Sequence, residues 1–329
     1  MRHTGAEHVT ISKVLFVVEK WAECNPTHPL SNSHHLYIGS LEASDLAKVD
    51  TFFFDEVSWQ TGKKCDTFLL EKCRTYRPDL IYMTMVQGTD LNPRPETLAR
   101  IRDEFDINIV ASYGDTYSQK SIEWIEEYTG AVTLNLIVDN YSTYKEFAVD
   151  PSRYFDGWTP QHPDIFYEDR RERTVDVSFI GSVSQYPRRK LAIGFLLENE
   201  IGVFCRGGQL YDHISIDDYA DYLRMSKISL NFPHAAFSED EYHCKGRVIE
   251  ITLCGALLIE QENQETRKWF EPGIDYVDYK DERDLLEKTK YYLANPNELK
   301  EIAARGAAKA ASCYSADMFW KRCFQRVLR

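Results

Sequence analysis

Four short, almost unbroken apolar runs set the strongest limit on what this chain can fold into: Lys13 to Glu19 (KVLFVVE), Asp79 to Val86 (DLIYMTMV), Ile107 to Ser112 (INIVAS) and Ala131 to Val138 (AVTLNLIV). β-Branched residues recur in all four, and each has the length of a strand rather than of an ordinary helix. A strand that is apolar on both sides must be covered on both sides, which is the condition of a parallel sheet flanked by helices. The intervening segments Pro95 to Phe105 and Ser118 to Tyr128 carry helical periodicity, so the first half alternates strand and crossover helix.

A second alternation starts at Val175, where VDVSFIGS reads as a strand ending in a turn of small residues, followed by a helix from Pro187 to Glu198. Further strands are expected at Ile201 to Cys205, Ile228 to Phe232, Ala256 to Glu260 and Tyr276 to Tyr279. Helices are expected at Ile216 to Met225, Gly246 to Cys254, Glu265 to Phe270, Glu282 to Leu293 and Asn297 to Ser312, with an amphipathic one at Ala316 to Leu328. Asp150 to Arg173, with three prolines and a charged run but no clear period, reads as the linker, and Trp158 is placed at its hinge. The expected architecture is α/β, with two doubly wound, Rossmann-like domains at residues 1–165 and 166–311 and a terminal helix at 312–329. Ligands in such sheets bind outside the carboxyl ends of the strands, so a cleft between the two sheets is the expected active site.

Composition narrows the partners. A net charge of -13 over 329 residues repels polyanions, which disfavours nucleic acid and broad anionic membrane surfaces. The eight cysteines form no C-x-x-C pair and mostly have apolar neighbours, as expected of reduced, buried thiols. No apolar run approaches the roughly 20 residues of a membrane span, and no signal segment opens the chain, so a cytoplasmic location is expected.

Three places are candidates for anion binding. The turn after the Val175 strand offers Gly181 and Ser182, with Arg188 and Arg189 opening the next helix, an arrangement suited to a diphosphate or simply to a tight turn with solvated arginines. Arg206 precedes a second glycine turn, Gly207 and Gly208, that can admit a ligand close to the backbone. Lys245 and Arg247 stand at the start of the expected helix from Gly246, where the amide dipoles already favour an anion. Glu250 lies one turn further on, able to accept hydrogen bonds from two sugar hydroxyls or to pair with Arg247.

The pattern Arg247, Glu250, Cys254, Gly255, the acidic strand end at Glu260 and the loop Phe270, Glu271, Pro272, Gly273 resembles the C-terminal domain of GT-B glycosyltransferases. The similarity is to the CgeB-like branch of the glycosyl transferases group 1 superfamily and runs from about Val175 to Ala311. It implies a nucleotide-diphosphate sugar of UDP or GDP type as donor substrate, with no tightly bound cofactor and no metal. It also implies that Glu250 binds the donor ribose, that Lys245, Arg247 and Arg188 face the diphosphate, that Gly181 lets a ligand approach the backbone, and that the last helix crosses back to the first domain. Tyr242 stands where the wider superfamily often has a first glutamate, eight residues before the second.

Base candidates for the acceptor hydroxyl are Asp115, just beyond the Ile107 strand, His35 in the loop after the first strand, and His243 beside the cationic cluster. His234 and His243 have no recognised metal-ligand spacing. The expected activity is hexosyl transfer to an acceptor that is a saccharide, lipid-linked saccharide, protein or small molecule. A catalytically silent nucleotide-sugar-binding or scaffold protein and a nucleotide-sugar epimerase of the same architecture are the competing expectations.

Overall fold

The computed structural model describes residues 10–114, 116, 119–138, 150–184, 186–208, 214–234 and 241–329. The chain divides into two compact units, one made of Met1–Thr159 with Ala316–Arg329, the other of Pro160–Ser315.

The first unit holds six strands: β1 (Lys13–Val18), β2 (Lys48–Phe53), β3 (Leu80–Thr84), β4 (Asn108–Tyr113), β5 (Leu134–Ile137) and β6 (Tyr154–Asp156). They form one sheet in the order β2-β1-β3-β4-β5-β6, and every neighbouring pair is parallel. Val14 to Val18 are completely buried, as a strand covered on both faces requires. Helices α1 (Ser40–Ser44), α2 (Phe54–Thr61), α3 (Asp66–Tyr76), α4 (Pro95–Phe105) and α5 (Gln119–Thr129) lie between the strands in sequence. β2 escapes the sequence pattern because it is an edge strand whose residues are mostly half-exposed. β6 lies inside the segment expected to be a linker; three residues leave too little pattern to detect, yet they pair in register with β5.

Asp66 ties α3 to the start of α4, accepting hydrogen bonds from Arg94 N at 2.9 Å and Thr97 Oγ1 at 2.6 Å. Burial raises its carboxyl, but these bonds and the Arg94 charge more than offset that and hold it below the usual range. The terminal helix Ala316–Val327 completes the core of this unit. Trp320 is fully buried, its ring edge-on to Phe16 and Tyr82, and its Nε1 donates to Ser40 Oγ at 3.0 Å. Trp158 packs against Phe319 of that helix.

In the second unit β7 (Val175–Ile180), β8 (Phe204–Arg206), β9 (Ser226–Asn231), β10 (Leu257–Gln261) and β11 (Val277–Tyr279) form a parallel sheet in the order β11-β10-β9-β7-β8. Its helices are α6 (Pro187–Glu198), α7 (Ile216–Met225), α8 (Gly246–Leu253), α9 (Gln264–Arg267), α10 (Glu282–Ala294) and α11 (Pro296–Cys313). Ser215 and Asp281 cap α7 and α10 by accepting from the backbone N–H three residues on. Gly255, with φ of 71°, turns the chain from α8 into β10. Arg173 fastens the opposite end of the unit: its guanidinium donates to the carbonyls of Arg224 (2.9 Å), Ser226 (2.8 Å) and Cys254 (2.8 Å).

The cysteines are all free, but not all buried: Cys205 and Cys313 are exposed and Cys244 is half-buried, since β8 and the end of α11 lie at the surface. Burial pushes the Cys73 and Cys323 thiols up to about 12. Among the described residues no helix is long and apolar enough to cross a membrane.

Candidate functional site

In the second unit the strand order reverses across β7, which has β8 on one side and β9 on the other, so the switch-point crevice opens at the carboxyl ends of β7 and β9. β7 is followed at once by Gly181, where φ is 148° and the N–H donates to Arg206 O at 2.7 Å. Only glycine fits there: a β-carbon would stand 2.7 Å from Arg247 Nη2. Gly208, with φ of 78°, is tighter still, because a β-carbon would fall 2.0 Å from Ser182 N. The two glycine turns are therefore in backbone contact.

Helix α8 begins beside this crevice. Lys245 is its N-cap residue, with extended backbone. Two residues on, in the first turn, Arg247 is half-buried, its guanidinium over the Phe179 ring at 5.2 Å and its Nη1 donating to Asn231 Oδ1 at 3.1 Å. Its Nε is buried and has no hydrogen-bond partner among the described residues. Glu250 accepts a hydrogen bond from the Tyr219 hydroxyl of α7. Glu250 is thus held by Tyr219 and Arg247 by Asn231, while Tyr219 also interacts with Arg247 and the Arg247 charge acts on Glu250. Burial raises the Glu250 carboxyl above its ordinary value, while the Tyr219 hydroxyl and the Arg247 charge pull the other way. Burial and the adjacent carboxylate raise the Tyr219 phenol well above its usual range.

Beneath Arg247 lies a buried polar chain. Asn231, the last residue of β9, donates from Nδ2 to Glu260 Oε1 at 2.6 Å, and Asn263 Nδ2 reaches Glu260 Oε2 at 3.2 Å. Glu260 is fully buried at the carboxyl end of β10. Burial pushes its carboxyl up to about 7, against the opposing pull of its hydrogen bonds and of the Lys245 charge. Sequence reasoning missed Asn231 and Tyr219 and took Glu260 only as an acidic strand end. Their significance depends on which strands are neighbours, and no short-range spacing encodes that.

The remaining sequence candidates are more scattered. Arg188 is half-buried in the first turn of α6, whereas Arg189 is the buried one; it stacks on Tyr186 at 3.6 Å and donates to Ser182 O at 2.9 Å. Arg206 is exposed, and what ties it to Gly181 is its backbone carbonyl. His243 is buried, with its N–H bonded to Pro233 O at 3.0 Å, and the His234 ring packs on Tyr242 at 4.7 Å. His35 belongs to the helical segment His34–Gly39 of the first unit. Asp115 lies outside the described residues.

The first unit has a switch point of its own, between β1 and β3. Glu19, just past β1, is buried there and accepts from the hydroxyls of Ser31, Ser33 and Thr84. In the sequence it is merely the polar residue that ends an apolar run.

Residues 166–323 match the model of a family described as glycosyl transferase-like. Among solved structures, the chain is similar to an alpha-glucosyltransferase in complex with UDP-glucose and DNA containing an abasic site, with a TM-score of 0.66, 10% identity and coverage of 98% of this chain and 100% of that one. HepE from Anabaena in complex with UDP-glucose gives 0.64, 11% identity and coverage of 94% and 97%. Sucrose-phosphate synthase from Thermosynechococcus elongatus gives 0.62, 11% identity and coverage of 95% and 98%. No curated protein sequence matches the chain. The fold is that of the GT-B glycosyltransferases, two parallel α/β sheets with interleaved helices.

Proposed function

We propose that the protein is a cytoplasmic glycosyltransferase of the CgeB-like branch that moves a hexosyl group from a nucleotide-diphosphate sugar, of UDP or GDP type, to an acceptor hydroxyl. The observation that carries this is Arg247, held over Gly181 at the switch point of the second unit, with a buried Nε–H that has no partner among the described residues. In this reading Arg247, Lys245, Arg188 and the first amides of α8 receive the diphosphate, Arg206 borders the glycine turn, and Glu250 accepts from the ribose hydroxyls. Loss of the nucleotide diphosphate builds negative charge, and these cations with the helix dipole stabilise it without requiring a metal. Asp115, His35 and His243 are the candidate bases. Two of the similar structures are complexes with UDP-glucose, which supports a UDP donor.

Titration with UDP and UDP-glucose tests the assignment. Arg247→Ala is expected to weaken binding by about ten- to a hundredfold, the worth of a charge-assisted contact to phosphate. Unchanged affinity overturns the site. A second reading, a binding protein without turnover, is favoured by one feature: Tyr242, which packs on His234, occupies the place of the first superfamily glutamate. Release of UDP from UDP-glucose, abolished in Glu250→Ala, rejects it.

A further inference from the structure

Arg247 reaches its place through Asn231, and Asn231 can hold it only one way round. The two ends of an asparagine amide have nearly the same shape and opposite chemistry, one accepting and the other donating. Here the oxygen faces Arg247 Nη1 at 3.1 Å and the nitrogen faces Glu260 Oε1 at 2.6 Å. A flipped amide sets N–H against N–H at the guanidinium and oxygen against oxygen at the carboxylate. Glu260 is fully buried and cannot exchange Asn231 for solvent. Its second oxygen is taken by Asn263, whose own Oδ1 accepts from Thr266 N at 2.8 Å, so that amide too is fixed in direction.

We propose that Glu260 and Asn231 are positioning residues for donor binding: the Glu260 carboxylate orients the Asn231 amide, and the amide holds the Arg247 guanidinium over the Gly181 turn. This rests on the assignment of Arg247 to the donor diphosphate. The lock works only while Glu260 is an acceptor alone. Protonated, it can donate to a flipped Asn231 oxygen, and Arg247 then loses its Asn231 acceptor and keeps its interaction with Tyr219. The charged and titratable groups around Glu260 are Lys245 at the start of α8, Tyr276 before β11, Tyr279 at its end, and Arg247 through Asn231. With its carboxyl pushed up to about 7, Glu260 passes from mostly protonated to mostly ionised between about pH 6 and about pH 8.

The positioning role and a plain field effect have opposite signs. A buried carboxylate acting only through its charge repels the diphosphate, so its removal tightens binding. As a positioning group its removal weakens binding. The probe is UDP-glucose, whose doubly esterified diphosphate does not titrate between about pH 6 and about pH 8. Calorimetric titration of the wild type is expected to show affinity rising over that interval by about threefold or more. In Glu260→Gln, affinity at the upper pH is expected to fall by about three- to tenfold and the pH dependence to flatten. Asn231→Ala is expected to give the same loss, and neither substitution is expected to add to the loss in Arg247→Ala, since all three act through one guanidinium.

Unchanged or tighter binding in a folded Glu260→Gln, with Arg247→Ala still weak, overturns the positioning role and leaves the donor site standing. Unchanged binding in Arg247→Ala overturns both. If Glu260→Gln fails to fold, the wild-type pH profile and the Asn231→Ala/Arg247→Ala pair decide. A flat profile, or losses that simply add, rejects the proposal.

Discussion

At the scale of single residues, backbone proximity imposes the hardest constraint. The β-carbon of an alanine at 208 falls 2.0 Å from Ser182 N, and backbone cannot swing aside as a side chain can. Gly208→Ala is therefore expected to cost about 3 kcal/mol or more, read as a lower Tm. At Gly181 a β-carbon meets the tip of Arg247 and a φ of 148° that side chains rarely adopt, so Gly181→Ala is expected both to lower the Tm and to weaken UDP-glucose binding. Glu260 has a separate signature. Its carboxyl is raised from 4.5 to about 7, so the folded state holds a proton that the unfolded state gives up, and stability falls as pH rises through that window. The loss is on the order of 3 kcal/mol, and melting curves from about pH 5 to about pH 7.5 are expected to show it in the wild type and lose it in Glu260→Gln. Arg247 and Glu250 were legible as candidates because a helix start and a one-turn spacing are local properties. Tyr219, Asn231 and Glu19 were not, because each matters through a contact made by a distant strand or helix.

At the scale of elements, legibility followed burial. β1, β3 and β4 stand out because both faces are covered, and α4 and α7 run from the residue expected to the residue expected. β2, half-exposed, and β6, three residues long, leave no such signature. Helices α2 and α3 were missed because their apolar stripes are narrow and polar residues such as Asp55 and Asp66 are among those buried. Arg173 fastens three elements at once, since its guanidinium holds carbonyls at the ends of α7 and α8 together with Ser226 O in β9. Arg173→Ala leaves those carbonyls to find other donors and is expected to destabilise the second unit by about 2 to 4 kcal/mol, with UDP-glucose affinity of the remaining folded protein unchanged. Thermal melts paired with titration below the transition separate the two effects.

At the scale of the whole molecule, the α/β class and the parallel sheets were readable because the alternation of buried strand and crossover helix repeats along the chain. Net charge limits the acceptor. One similar glucosyltransferase was solved with DNA, but a surface carrying -13 lacks the excess of cations that phosphate neutralisation needs. A DNA duplex is expected not to shift in a gel at about 0.15 M salt; a shift would bring nucleic acid back as the acceptor. The division into units also sets a timetable. The first unit takes Met1–Thr159 and then, after the whole of Pro160–Ser315, the segment Ala316–Arg329 that carries Trp320. A ribosome making this chain has translated all of the second unit before it reaches the indole that packs edge-on to Phe16 and Tyr82. The sheet made first keeps that hollow open until the last helix is in place, so a chain truncated after Ser315 is expected to leave the first unit open to limited proteolysis while the second is protected.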